Sequence, residues 1–140
     1  MPTFYSNRTE AAATLAKIPA RVSLGAVTEV AKYTLLAGFT TADIIEMVKV
    51  RAGFTVLEVQ LSCNASVGAT ANLSVGDGAS AARFITSTAH TAATITRLNA
   101  PATGAGFVYT SDDTIDITAV SIATLVPGTI LTLVVVGHYL

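Results

Sequence analysis

Phe54-Thr55-Val56-Leu57-Glu58-Val59-Gln60-Leu61-Ser62-Cys63 alternates apolar and polar residues with a period of two. Leu57, Val59, Leu61 and Cys63 fall on one side of such a segment, and Glu58, Gln60 and Ser62 on the other. Successive side chains of a strand point to opposite faces, whereas a helix needs apolar residues every three to four positions. The stretch therefore predicts a half-buried antiparallel strand with one face on a core.

Working outward, the same period recurs. Ala26 to Leu36 reads as a first strand and Asp43 to Val50 as a second, with Ile45, Met47 or Ile44, Val48 and Val50 as the core-side candidates. Arg51-Ala52-Gly53 then makes a short turn into the stretch above. Downstream, short strands are expected near 70–75, 82–86, 92–98 and 105–110. Gly76-Asp77-Gly78 is a turn sequence, since glycine accepts the positive φ that tight turns demand. Asn99 to Gly106 reads as a loop of small residues, and Thr114 to Leu125 with Thr129 to Tyr139 as a final hairpin around Pro127-Gly128. Several short strands separated by turn residues predict an all-β domain, an antiparallel β-sandwich or a jelly-roll-like barrel, over residues 25–140.

Residues 1–24 read differently. Thr9 to Lys17 has helical composition, with Asn7 or Thr9 as a cap and Pro19 as a stop. So short a helix is unstable alone. The expectation is an N-terminal arm that docks on a surface.

Composition narrows the function. The 140 residues suffice for one domain with one core. The chain is 51% hydrophobic but only 12% charged, against about 25% charged in ordinary soluble domains. A surface so poor in charge points to a large protein interface. Ala and Thr make up roughly a third of the chain, and β-branched Thr suits a pleated, half-buried surface. The net charge of −1, with no Lys/Arg cluster, argues against nucleic acid as a partner.

Ile117 to Gly137 carries no charge and is long enough to cross a bilayer. Pro127-Gly128 at its middle and the Val/Ile/Thr content favour two buried strands, so no membrane partner is expected. Met1 to Arg8 lacks the basic start and apolar run of a signal peptide, and the single Cys63 allows no internal disulfide. Both fit folding in a reducing compartment.

Material for chemistry is sparse. Cys63, His90 and His138 are the nucleophilic candidates, but Ser62-Cys63-Asn64-Ala65 matches no nucleophile motif. Cys63 also lies on the apolar side of its strand, where a thiol is inert. His90 and His138 read as solvated or interface residues. Asp112, Asp113 and Asp116 lack the ligand spacing of a calcium loop, and Asp116 alternates outward between Ile115 and Ile117. No phosphate loop, dinucleotide fingerprint or zinc spacing is present. No catalytic residue, cofactor or metal is expected, and the protein is read as a non-enzyme. Arg83 and Arg97 are isolated cations in an uncharged middle, each followed by apolar residues. Lone arginines in such places often pair with an acid across an interface, and Asp77 is the nearest candidate for Arg83.

Three landmarks then fall in order: Val48 to Val56 leading into the alternating strand, Leu73-Ser74-Val75-Gly76-Asp77-Gly78 leading to Arg83-Phe84-Ile85, and Asp112 to Ile117 before a Pro-Gly turn. Over residues 30–137 this resembles small structural proteins encoded with the head genes of tailed bacteriophages. The resemblance implies a β-sandwich or jelly-roll-like cement protein on the outer surface of an icosahedral capsid. It implies a homotrimer that clamps adjacent major capsid protein subunits and is assembled in the host cytoplasm. Linked weak contacts would gain strength from effective concentration. On this reading Phe4, Tyr5, Arg8 and Leu15 of the arm, together with Arg83 and Arg97, are candidate capsid or subunit contacts. A head fibre, collar or tail component shares the composition. A carbohydrate- or ligand-binding sandwich is the other alternative, weakened by the absence of Trp and the scatter of Tyr5, Tyr33, Tyr109 and Tyr139.

Overall fold

The structure is a computed structural model that describes residues 26–139. The arm expected over 1–24, with its possible helix, lies outside the described residues, as does the boundary at residue 25. The described chain is all β, with eight strands: β1 Val27–Thr34, β2 Ile44–Val50, β3 Phe54–Cys63, β4 Gly68–Gly76, β5 Ile85–Ala89, β6 Thr94–Arg97, β7 Asp113–Leu125 and β8 Ile130–Tyr139. They form two four-stranded sheets, ordered β1-β8-β3-β6 (sheet A) and β2-β7-β4-β5 (sheet B). Every pairing is antiparallel. This alternation of strands between two packed sheets is an eight-stranded jelly roll.

Alternating residues from both sheets meet in one aliphatic core. Sheet A contributes Val59, Leu61, Leu131, Leu133 and Val135, and sheet B contributes Leu73, Val75, Ile115 and Ile117, all buried. In β2 the inward residues are Ile45, Val48 and Val50, while Ile44 is exposed. A bulge between Glu46 and Val48 lets both Ile45 and Val48 turn inward, although they differ in parity.

Four sequence expectations are corrected. Leu57 does not face the core; it is 49% exposed, because a bulge between Val56 and Glu58 inserts it as an extra residue. Val56 takes the inward place instead. The last two strands do not form a hairpin. β7 pairs with β2 and β4, whereas β8 pairs with β1 and β3, so the Pro127-Gly128 turn crosses between sheets. Gly128 takes φ +89, and its N–H donates to the Leu35 carbonyl, while Val126 N–H donates to Val67. Each side of the turn is thus tied to a different neighbour.

The strand expected at 105–110 is reduced to a single bridge, Thr55 to Val108, between backbone bonds linking Val56 to Gly106 and Phe107, and Phe54 and Gly53 to Tyr109. The strand placed at 82–86 begins at Ile85, since Ser80 to Arg83 are held in turns closed on Asp77 and Ser80.

The bulge makes a testable contrast. Leu61→Ala, which empties a fully buried site, is expected to cost about 2–5 kcal/mol. Leu57→Ala, although equally apolar in the alternation, is expected to cost under about 1 kcal/mol. Urea denaturation of the two variants measures both.

Candidate functional site

The outer faces of the two sheets differ. On sheet A, β8 turns Ile130, Thr132, Val134 and Val136 outward, and register places Val30 beside Val134 and Lys32 beside Thr132. Across β3, Gln60 and Ser62 stand beside Arg97 and Ile95 of β6. Val30 and Ile95 are 58% and 64% exposed. The outward residues of β8 are therefore uncharged, with Val30 and Ile95 on the flanks and Lys32, Glu58 and Arg97 around them. On sheet B, the corresponding rows pair Glu46 with Asp116, Lys49 with Thr114, Ser74 with Thr118 and Asn72 with Ser121. That face is polar.

A shallow concavity of about 680 Å³ lies at one end of the sheet A face, between Lys32, Asn64, Thr94, Ile95, Ile130 and Thr132. Its lining contains no aromatic ring of the kind on which sugars stack.

Arg97 is exposed on this face, opposite Gln60. Phe4, Tyr5, Arg8 and Leu15 lie outside the described residues. Arg83 is committed within the chain. Its Nε donates to Asp77 Oδ2 at 2.5 Å and its Nη2 to Oδ1 at 3.3 Å. Asp77 also accepts from the backbone N–H groups of Ala79 and Ser80 and, at 3.1 Å, from the Tyr109 hydroxyl. The Arg83 guanidinium lies 3.9 Å from the centre of the Phe107 ring, which meets Tyr109 edge-on. The pairing anticipated from sequence is thus present, inside one chain. Tyr109 and Phe107 were not legible as its partners, because their approach depends on where the loop after β6 returns.

This hub fixes charge states. Burial alone would raise the Asp77 carboxyl, but Arg83, the Ser80 N–H and Tyr109 outweigh it and hold it below the usual carboxylate value. Burial and the adjacent Asp77 push the Tyr109 hydroxyl far up, so it remains a donor. Arg83→Ala leaves a buried carboxylate without its cation and is expected to cost about 3–5 kcal/mol. Tyr109→Phe removes one hydrogen bond to a charged group and is expected to cost about 1.5–3 kcal/mol. Chemical denaturation at pH 7 tests the order.

Of the nucleophilic candidates, Cys63 and His138 lie at opposite ends of one strand pair. Cys63 ends β3, buried, with its Sγ donating to the Ala92 carbonyl at 3.3 Å, and burial raises its pKa. His138 pairs with Thr55 near the other end of the same strand. Eight residues of strand separate Thr55 from Cys63, roughly 25 Å. His90 is a correction: it is completely buried rather than solvated, with Nδ1–H donating to the Thr88 carbonyl at 2.8 Å. Its Nε2 has no partner. Among the described residues no three His, Cys, Asp or Glu side chains are grouped to hold a metal ion. No described helix is long and apolar enough to cross a membrane.

Burial lowers the His90 pKa below 6.5, and the bond to Thr88 offsets part of that. The unfolded chain therefore binds a proton first as pH falls. Stability is lost as pH drops below 6.5 toward the lowered folded value, and is unaffected above it. His90→Leu is expected to show a smaller loss of urea stability between pH 7.5 and 5.5 than the unaltered protein.

No protein-family model and no curated protein matches the sequence. Solved structures share the fold. A chain of the cyanophage Pam1 capsid asymmetric unit aligns with TM-score 0.67 and 21% identity, covering 81% of this chain and 85% of that one. A chain of the capsid of Ralstonia phage GP4 aligns with TM-score 0.69 and 15% identity, over 81% and 84%. A chain of the acidic stable capsid structure of Helicobacter pylori bacteriophage KHP30 aligns with TM-score 0.59 and 14% identity, over 81% and 86%.

Proposed function

We propose that this protein is a non-enzymatic structural component of a phage virion, one that decorates the outside of the capsid and clamps adjacent major capsid protein subunits. The observation that carries the reading is the jelly roll itself, matched over 81% of the chain by chains from three phage capsid structures. Two features support it. The chain is only 12% charged, and its uncharged central strand with flanking Val30 and Ile95 lies on the outer face of sheet A. A face of that composition suits contact with another protein better than contact with water.

In this reading sheet A is turned toward the capsid and sheet B outward. Arg97 is a charged contact at the rim of the docking face. Arg83 supports the fold that presents it. The arm, with Phe4, Tyr5, Arg8 and Leu15, adds a second grip on the capsid or on a neighbouring copy. A homotrimer would multiply both contacts, and assembly takes place in the host cytoplasm.

Quantitative mass spectrometry of purified particles tests the role. A ratio to the major capsid protein near one to one, or near one trimer per three capsid subunits, is expected. A handful of copies per particle would move the protein to a fibre, collar or tail, and absence would end the virion reading. Ile95→Asp with Arg97→Glu is expected to weaken capsid binding at least about tenfold, roughly 1.4 kcal/mol, with an unchanged melting temperature. Removal of residues 1–20 is expected to weaken binding while leaving the sandwich folded.

A further inference from the structure

Among the described residues two carboxylates are buried, and they are handled in opposite ways. Asp77 is surrounded by donors and paired with Arg83. Asp116, 8% exposed, has no salt-bridge cation, and its Oδ1 has no hydrogen-bond partner. Alternation turns Asp116 outward on sheet B, as the sequence predicts, yet the side chain is covered.

The strands on either side explain the cover. On one flank Asp116 is in register with Gly76, and a Cβ at Gly76 would lie 2.0 Å from the Ser80 carbonyl oxygen, so the Ser80–Ala81 turn is folded tightly over that position. On the other flank it is in register with Glu46 of the edge strand β2. Directly opposed side chains share a face, with Cβ atoms about 4.5–5.5 Å apart. Two carboxylates therefore face one another on neighbouring strands, and among the described strands β2 is hydrogen-bonded to β7 alone.

The surrounding charges do not relieve the pair. β7 opens at Asp113, and Asp112 just before it accepts from the Ala52 N–H. From β4 and its following turn come Asp77 and Arg83, bound to each other. β2 adds Lys49, exposed and in register with Thr114 rather than Asp116, and Arg51 stands beyond the end of that strand, also exposed. Burial raises the Asp116 carboxyl; Thr114 lowers it, and Glu46, Asp113 and Asp77 raise it further.

We propose that Asp116 and Glu46 form an acid-set latch on β2: on acidification Asp116 takes a proton from water, its neutral carboxyl donates that proton in a hydrogen bond to the Glu46 carboxylate, and β2 is held more tightly to β7. The proton satisfies the orphan oxygen and removes one of two facing charges. The sign follows from the raised pKa. Ionised Asp116 penalises the folded state at neutral pH, and the penalty disappears as pH falls through the folded value toward 3.8. This acts against the His90 effect, but at the opposite edge of the sheet, since His90 follows β5. The latch is independent of the phage reading.

Hydrogen exchange on the full chain, corrected for the intrinsic rate at each pH, reads β2 separately from β5. Amides of Ile44–Val50 are expected to open several-fold less often at pH 5 than at pH 7.5. Asp116→Asn, whose amide N–H mimics the protonated acid, should keep β2 closed equally at both values. Glu46→Gln should shrink the pH effect. Equal opening of β2 at both pH values in the unaltered protein overturns the latch, as does a wild-type pH response in Asp116→Asn. If that variant fails to fold, an unchanged response in Glu46→Gln overturns it, and so does a carbon-13 titration placing Asp116 at or below the ordinary carboxylate range.

Discussion

A strand serves a core only through the residues that its register turns inward, and here the decisive register is that of β3 against β8. These are the two central strands of sheet A, and their pairing runs from Phe54 opposite Tyr139 to Cys63 opposite Leu131. Slipping one residue would expose Val59 and Leu61 together and bury Gln60 and Ser62. The single bulge at Leu57 divides β3 into two parts with different neighbours. Beyond it, Gln60 to Cys63 pair with β6. Before it, Gly53 to Val56 accept the returning segment Gly106 to Tyr109 through backbone bonds. That return carries Phe107 and Tyr109 to Asp77 and Arg83.

The Asp77 hub consequently joins parts of the chain that no sheet joins. Asp77 closes the turn after β4, Arg83 precedes β5, and Tyr109 lies on the strip beside β3 of the other sheet. A buried ion pair of this kind adds little net stability relative to a well-packed apolar substitute. Its geometric demand is greater: the carboxylate is satisfied only when both loops and the β3 bulge are in place. Asp77 with Arg83 therefore acts as a specification of how the two sheets close.

What was legible in the sequence follows from this. Residue alternation is local, so the strands at 44–50, 54–63, 113–125 and 130–139 could be read to within a residue or two. Leu57 misled because a bulge adds one residue without any local mark; the flanking Val56 and Glu58 alternate acceptably in either register. Pro127-Gly128 announces a turn but not whether it stays in one sheet, since β7 and β8 bury alternate residues equally well with distant partners. His90 looked polar and exposed because its neighbours Thr88 and Thr91 are polar, whereas its burial depends on contacts with Ala71 and Val67. The Arg83–Asp77 pair was readable because its members are six residues apart. The outer faces were not, since which outward residues share a face depends on strand order.

That strand order gives the low charge its meaning. A jelly roll leaves four edge strands, β1, β6, β2 and β5, and exposed edges invite pairing with other chains. Three are blunted: β6 has four residues, β5 has five, and β2 is bent by its bulge. β1 is longer and unbroken, but it carries Glu29 and Lys32, both exposed. Among the described residues, charge lies at edges, at turns, on the outer face of sheet B and at Glu58 of β3, and is absent from the outward residues of β8. A monomer selected only for solubility gains nothing from leaving the outward residues of a central strand uncharged. A face set against a partner does gain, because the outward residues of β8 bring no charge to be desolvated on contact.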